Sequence, residues 1–485
     1  MRDKLQVMKF GGTSVGDATC LRRAAQIVAD AAREWRVVAV VSAMSGVTTR
    51  LIETARRASK GDLSAAQEIA DALASQHMTA LEKLVADSER RARLVSEMES
   101  IIGEVSAFCH GSALLRELTP RTLDMISSAG ERLSARLLAG ALCELGTRAV
   151  AVDASEIIVT DDAHGQAEPF MEQTRAAAKG RLLPLIESGL VPIVTGFIGA
   201  NVEGTLTTLG RGGSDYSATI LGATLEASEV IIWTDVDGVM TADPRLVPEA
   251  RLLREISYNE AGDLAYFGAK VLHPKTLRPV VDASIPVWIR NSFAPEKPGT
   301  KITREGRPAP DGVKAITAIA NVSLITVGGR GIVGLIGVAA KTFTAAASVR
   351  ANVLLISQSS SENDICFIVD SADAAHTVKA LRQAFAHDLA HQQVEHITVN
   401  SNIAIIAVIG ERMRGTPGIA GRSFSALGRD YINVIAVAQG SSEYNVSFVV
   451  GAEDMRAAVL AVHSEFNLDQ RSSNLENEDD ALARL

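Results

Sequence analysis

Four short stretches of this chain set charged side chains among glycines and hydroxyls. Lys9-Phe10-Gly11-Gly12-Thr13-Ser14 closes a strand-like run and precedes a helix that begins near Asp17. Glycines there let the backbone approach a phosphate, a helix N-terminus adds amide donors, and the lysine adds mobile positive charge. A glycine-rich turn with a solvated lysine would read the same on these residues alone. Leu209-Gly210-Arg211-Gly212-Gly213-Ser214-Asp215-Tyr216-Ser217 repeats the pattern ahead of a second helix, Ala218–Ala227. Arg211 can grip a planar carboxylate or phosphate through two parallel bonds, and Asp215 can hold an ammonium or orient a lysine. Ser214 and Asp215 would serve equally as plain helix caps. In the third stretch, Trp233 to Arg245, Asp237-Gly238 signals a turn, and Thr234, Asp235 and Arg245 can meet the polar atoms of a nucleotide. The fourth, Phe267 to Pro274, ends one helix at Gly268, starts another at Pro274, and brings Lys270 to a loop.

Something must hold these stretches together. Up to about residue 300, short β-rich runs alternate with helical segments, the pattern of an α/β unit with a mainly parallel sheet flanked by helices. The expected strands are Gln6–Phe10, Val37–Ser42, Ala149–Asp153, Val191–Gly196, Val230–Thr234 and Pro286–Arg290. Open parallel sheets bind ligands at the carboxyl ends of their strands, where the unusual residues fall.

Several functions are excluded early. There is no G-x-x-x-x-G-K-[ST] and no H-R-D or D-F-G set, so neither P-loop nor protein-kinase chemistry applies. A net charge of −9 without a basic cluster speaks against a nucleic-acid partner. Four scattered cysteines form no C-x-x-C, so no zinc site or disulfide framework is expected, and no metal ligands are assigned. The apolar runs are too short to span a bilayer and no signal-peptide pattern opens the chain, which is read as cytoplasmic, with no membrane contact. Gly329-Arg330-Gly331-Ile332-Val333-Gly334 imitates a dinucleotide motif, but Gln358 stands where an acidic residue is needed. His387 and His391 lack a third ligand and read as a solvated helix face.

Together, Lys9–Ser14, Gly210–Tyr216, Trp233–Val236 with Asp243-Pro244-Arg245, and Phe267–Pro274 resemble the aspartate kinases, of the amino-acid kinase fold. The resemblance covers about residues 4 to 467 and implies transfer of phosphate from ATP, with Mg²⁺, to the side-chain carboxylate of L-aspartate. That reaction opens the aspartate-derived route to lysine, threonine and methionine. A carboxylate is ionised at neutral pH, so no general base is required. What is required is neutralisation of crowded negative charge. By motif, the resemblance makes Lys9 and Asp215 catalytic and gives substrate contacts to Thr48, Glu131, Arg211 and Ser214. Gly11, Gly12, Thr13, Thr234, Asp235, Met240, Arg245 and Lys270 fall to the nucleotide. Met240 departs from the pattern, which usually has a tyrosine there; methionine can still pack on a base.

Behind a Pro- and Gly-rich linker, residues 301–315, lies an internal repeat with a constant offset of 81 residues: Asn321/Asn402, Phe343/Phe424, Asn352/Asn433, Gln358/Gln439, Glu362/Glu443 and Phe367/Phe448. Each copy reads as a ferredoxin-like βαββαβ module, resembling an ACT module. The expected layout is a catalytic domain over 1–300, modules over 316–399 and 400–468, and a polar tail over 469–485. Glutamines at equivalent strand ends resemble those of threonine-responsive members, found alone or fused to homoserine dehydrogenase. Asn352, Gln358, Asn433 and Gln439 are then the effector contacts, with threonine preferred and lysine the other option. Modules with exposed sheet edges point to a homodimer or homotetramer. Two alternatives stay open: a glutamate or acetylglutamate kinase of the same fold, and an inactive amino-acid sensor subunit.

Overall fold

The computed structural model describes residues 4–268, 272–309, 311–330, 336–358, 363–413, 415–440 and 444–469. They divide into two units: 4–239 with 254–262 and 272–306, and 240–253 with 263–268 and 307–469.

The first unit is built on an eight-stranded sheet. Its strands are β1 (Leu5–Phe10), β2 (Arg36–Val41), β3 (Ala149–Val152), β5 (Val191–Thr195), β8 (Glu229–Thr234), β9 (Glu255–Ser257), β10 (Val287–Asn291) and β11 (Thr300–Thr303). The order is β3-β5-β2-β1-β8-β10-β11-β9. Only β10 and β11 run antiparallel to each other, as is common at the edge of a largely parallel sheet. β1 lies between β2 and β8, parallel to both. All six of its residues are buried, which is why LQVMKF is apolar apart from Lys9 and Gln6, and Gln6 donates to Glu229 Oε1 at 2.6 Å. A small sheet, β4 (Val159–Thr160), β6 (Ile198–Asn201) and β7 (Leu206–Thr208), sits beside it.

The chain between β2 and β3 is all helical: Val47–Ala58, Ala65–Leu84, Ser88–Leu115, Pro120–Ser127 and Ala129–Glu144. These helices share one apolar core with β1 and β2. Among the described residues, His77, fully buried in Ala65–Leu84, keeps only a contact from Nδ1 to the Leu73 carbonyl at 2.8 Å, and its Nε2 has no partner. Burial pushes its pKa down to about 4. A depressed base is protonated more readily in the unfolded chain, so this stability is present above pH 6.5 and fades as pH falls toward 4. His77→Leu should therefore narrow the gap in urea midpoint between pH 7 and pH 4.5, by up to about 3 kcal/mol at the acid limit. An unchanged gap would refute that account.

The second unit centres on a six-stranded antiparallel sheet, ordered β13-β14-β12-β15-β17-β16. Its strands are β12 (Ala315–Gly328), β13 (Leu355–Gln358), β14 (Asp364–Asp370), β15 (His396–Ile409), β16 (Ala436–Gln439) and β17 (Asn445–Gly451). β12 breaks register between Ile319 and Val322, where Asn321 takes a positive φ of 59°, a conformation asparagine tolerates better than most residues. Beyond the break each long strand serves both modules. Ile316 packs with Ile406 and Phe448 of the second copy, whereas Ile397 packs with Phe367 and Phe385 of the first. The 81-residue repeat also extends to side-chain contacts: Lys341 lies over Phe385 at 4.8 Å and Arg422 over Phe466 at 4.4 Å.

Two pieces of the kinase-like stretch pack in this unit. Ala242 and Val247 enter the core of the second copy, and Thr241 Oγ1 lies 2.9 Å from His463 Nε2. Tyr266 donates to the Leu354 carbonyl just before β13 at 3.2 Å. Among the described residues, no helix is long and apolar enough to cross a membrane.

Candidate active site

Lys9 is the next-to-last residue of β1 and 8% exposed, and its Nζ lies 2.5 Å from Asp215 Oδ1. Asp215 occupies the first turn of the helix Gly213–Thr224, begun by Gly212 with φ 71°. The turn is fixed by close approach, since a Cβ on Gly196, just past β5, would come within 2.6 Å of the Ser214 side chain. A Cβ on Gly11 would lie 3.4 Å from the Lys9 ammonium, so the glycine loop passes directly over that charge. Among the described residues, the amides of Gly12 and Thr13 donate to no protein acceptor.

Glu131 joins them from the first turn of Ala129–Glu144. It is 3% exposed, and its Oε2 has no hydrogen-bond partner among the described residues. Burial raises its pKa to about 8, against the opposing pull of the Ala43 amide and the Lys9 charge. Its seat depends on Gly130, where a Cβ would fall 2.5 Å from Ala43 Cβ and 3.0 Å from Val47 Cγ1. That contact brings the helix start against the loop after β2. Thr48 stands beyond this loop, half-buried in the first turn of Val47–Ala58.

Arg211 is exposed on the turn before Asp215. Its charge adds to burial in lowering the pKa of His273, which caps the helix Pro274–Ala283. On the other side of β1, Ser14 Oγ lies 2.8 Å from Ser292 Oγ, and Ser292 donates to the Thr234 carbonyl at 3.1 Å. Thr234 donates to Asp235 Oδ1 at 3.2 Å. Asp237 accepts from Asn291 at 2.7 Å and from Lys297 at 2.6 Å, which hold its carboxyl below the usual range. Sequence reading had seen Asp237 only as a turn and had passed over Asn291, Ser292 and Lys297, which carry no motif of their own.

The first unit thus gathers Lys9, Asp215 and Glu131 in one buried cluster, with Gly11 against it and Thr234 and Asp235 at the end of the neighbouring β8. Met240 and Arg245 belong to the second unit; Arg245 is 82% exposed at its side chain and paired with Asp243 at 2.6 Å. Lys270 lies outside the described residues, as do Gly331 to Gly334 and the serines after Gln358 and Gln439. Asn352 and Gln358 flank β13, and Asn433 and Gln439 flank β16, all four exposed. His387 and His391 stack on each other at 4.1 Å. Among the described residues, no group of three His, Cys, Asp or Glu side chains could hold a metal ion.

The model of the amino acid kinase family matches residues 4–291, and that of an ACT domain matches 325–385 and 406–466. Aspartokinase III of E. coli, solved with aspartate and ADP (R-state), superposes with a TM-score of 0.79 at 32% identity, covering 95% of this chain and 99% of that one. The chain belongs to the aspartokinases. The same E. coli enzyme with lysine and aspartate (T-state) gives a TM-score of 0.78 over 96% of this chain and 99% of that one, again at 32% identity. Aspartokinase 1, chloroplastic, of Arabidopsis thaliana is 34% identical, with 95% of this chain and 80% of that protein covered. The bifunctional aspartokinase/homoserine dehydrogenase, chloroplastic, of Daucus carota is 38% identical over 96% of this chain but only 51% of its own length. The chain spans about half the length of such bifunctional relatives. The aspartokinase assignment agrees with the expected amino-acid kinase fold followed by tandem ACT modules.

Proposed function

We propose that this aspartokinase-family chain transfers the γ-phosphoryl group of ATP to the side-chain carboxylate of L-aspartate, giving 4-phospho-L-aspartate and ADP, the entry step toward lysine, threonine and methionine. The observation that carries the reading is the buried Lys9–Asp215 pair beside Glu131 under a glycine loop. An oxygen of the aspartate carboxylate attacks Pγ; that O–P bond forms as the bond from Pγ to its bridging oxygen breaks, and ADP departs. Lys9 offsets charge on the moving phosphoryl group, with the amides of Gly12 and Thr13 as further donors, while Gly11, whose amide donates to the Trp233 carbonyl at 3.2 Å, lets the loop pass close over the ammonium. Asp215 holds Lys9 in place and, with Glu131, receives the substrate ammonium. Arg211 takes the α-carboxylate, and Ser214 and Thr48 offer hydroxyls to the same substrate. Thr234, Asp235, Met240, Arg245 and Lys270 are assigned to the nucleotide. Magnesium would be held chiefly by the phosphates of the nucleotide and would supply further positive charge there.

ADP release measured with aspartate, glutamate and acetylglutamate tests the assignment. Faster turnover of either alternative acceptor would overturn it, and no turnover of any would favour an inactive sensor. Arg211→Ala should raise the aspartate KM about 10- to 100-fold, equivalent to roughly 1.5–3 kcal/mol, with little change in the ATP KM.

Feedback by L-threonine through Asn352, Gln358, Asn433 and Gln439 is part of the same proposal. In its support, the segment carrying Met240 and Arg245, both assigned above to the nucleotide, packs into the second module's core through Ala242 and Val247. Inhibition by lysine alone would reverse the choice of effector. A homodimer or homotetramer belongs to the same proposal: among the described residues β13 and β16 form the two ends of the six-stranded sheet, and sheet ends of this kind commonly pair between subunits. A cytoplasmic setting fits four cysteines that are all free.

A further inference from the structure

Asp124 takes no part in the chemistry proposed above, yet it is a carboxylate only 2% exposed. It sits on the helix Pro120–Ser127, directly before the helix that carries Glu131. Its Oδ1 accepts from Thr208 Oγ1 at 2.6 Å, and its Oδ2 accepts from His164 Nδ1 at 2.8 Å and the Gly165 amide at 3.1 Å. A carboxylate only accepts, so three donors converge on one buried charge.

Those donors lie on the two pieces of chain that support Arg211. Thr208 ends β7, three residues before Arg211. Gly165 belongs to the loop 161–168, whose ends are joined by the Asp161 amide donating to the Glu168 carbonyl at 3.0 Å. The loop is docked on β7 by the Ala167 amide, which donates to the Thr208 carbonyl at 2.9 Å. The arginine turn rests on this loop: Gly210 has φ 79°, and a Cβ there would lie 3.0 Å from the Gly165 carbonyl oxygen. Arg211 itself is exposed on its turn, so the turn's placement decides where its guanidinium stands.

We infer that Asp124 is a positioning residue for substrate recognition, fixing the Leu209–Gly213 turn through Thr208 and Gly165 so that Arg211 meets the α-carboxylate of the acceptor. The inference rests on the role proposed for Arg211. It acts on an anion-binding contact, whereas Asp215, although on the helix that follows the turn, is held independently by Lys9 and by the close approach of Gly196 to Ser214.

Asp124→Asn tests it, because an amide keeps the shape but has one accepting oxygen in place of two, so either the Thr208 hydroxyl or the His164 and Gly165 donors lose their acceptor. The aspartate KM should rise about tenfold, with kcat and the ATP KM within about twofold. In an Arg211→Ala background the same substitution should raise the aspartate KM less than about twofold, since its target is gone. Thr208→Val, which removes a single donor, should follow the same pattern to a smaller degree and serves if Asp124→Asn does not fold. A full tenfold effect repeated in the Arg211→Ala background, or a parallel fall in kcat, overturns the inference. An aspartate KM unchanged by Arg211→Ala itself overturns the arginine's role, and the coupling with it.

Discussion

Lys9→Ala is expected to lower kcat by about 10²- to 10³-fold, roughly 2.7–4 kcal/mol of transition-state stabilisation. Lys9 stands on the central strand of the sheet, nearly out of water, so its charge is weakly screened where phosphoryl oxygens would crowd. No other described cation is paired with Asp215, so loss of Lys9 leaves that carboxylate uncompensated next to Glu131. The variant should therefore also lose stability, toward the lower end of about 3–5 kcal/mol because Asp215 keeps 15% side-chain exposure. The two effects separate when kcat is measured well below the variant's own melting temperature. An unchanged kcat in folded Lys9→Ala protein would sink the mechanism. Lys9→Ala combined with Asp215→Asn should recover part of the melting temperature but none of the rate, because the charge cost is removed while the phosphoryl partner stays absent.

Much of this arrangement was legible in the sequence, and the reason is local. The strands Gln6–Phe10, Val37–Ser42 and Val230–Thr234 are predominantly apolar because both faces of the sheet are covered, and they appear within a residue or two of their expected places. The turn before Asp215 announced itself because its left-handed positions demand glycine. The glutamate loop was found by resemblance, but its buried state could not be read, since that depends on Gly130 meeting Ala43 from the loop after β2, some ninety residues earlier. The Asp124 cluster was missed for the same reason: a lone aspartate, histidine and threonine have no shared spacing. In the regulatory half the repeat was plain, yet the sharing of β12 and β15 between modules was not. Either half of a long alternating strand can face either core, and only pairing across the sheet decides which.

The second large effect concerns pH. With its pKa near 8, Glu131 is mostly protonated in the free enzyme at neutral pH, whereas the substrate ammonium needs the carboxylate. Aspartate binding must then displace a proton, and kcat/KM for aspartate should climb between pH 6 and about 8 before levelling. Glu131→Gln should flatten that rise and raise the aspartate KM about 100-fold, near 3 kcal/mol, as removal of one partner from a buried charge pair commonly does. The linkage has a second readout that does not depend on turnover. An acid whose folded pKa lies above its unfolded value binds more protons in the native state, so its contribution to stability is fully present below about pH 4.5 and is lost as pH rises through 8. The melting temperature of ligand-free wild type should accordingly fall relative to Glu131→Gln across that window. If both proteins track each other from pH 5 to 8, Glu131 is ionised throughout, and the rise in kcat/KM must come from another group. Calorimetry in buffers of different ionisation enthalpy decides between them, because only a protonated Glu131 makes aspartate binding release a proton that its glutamine variant does not.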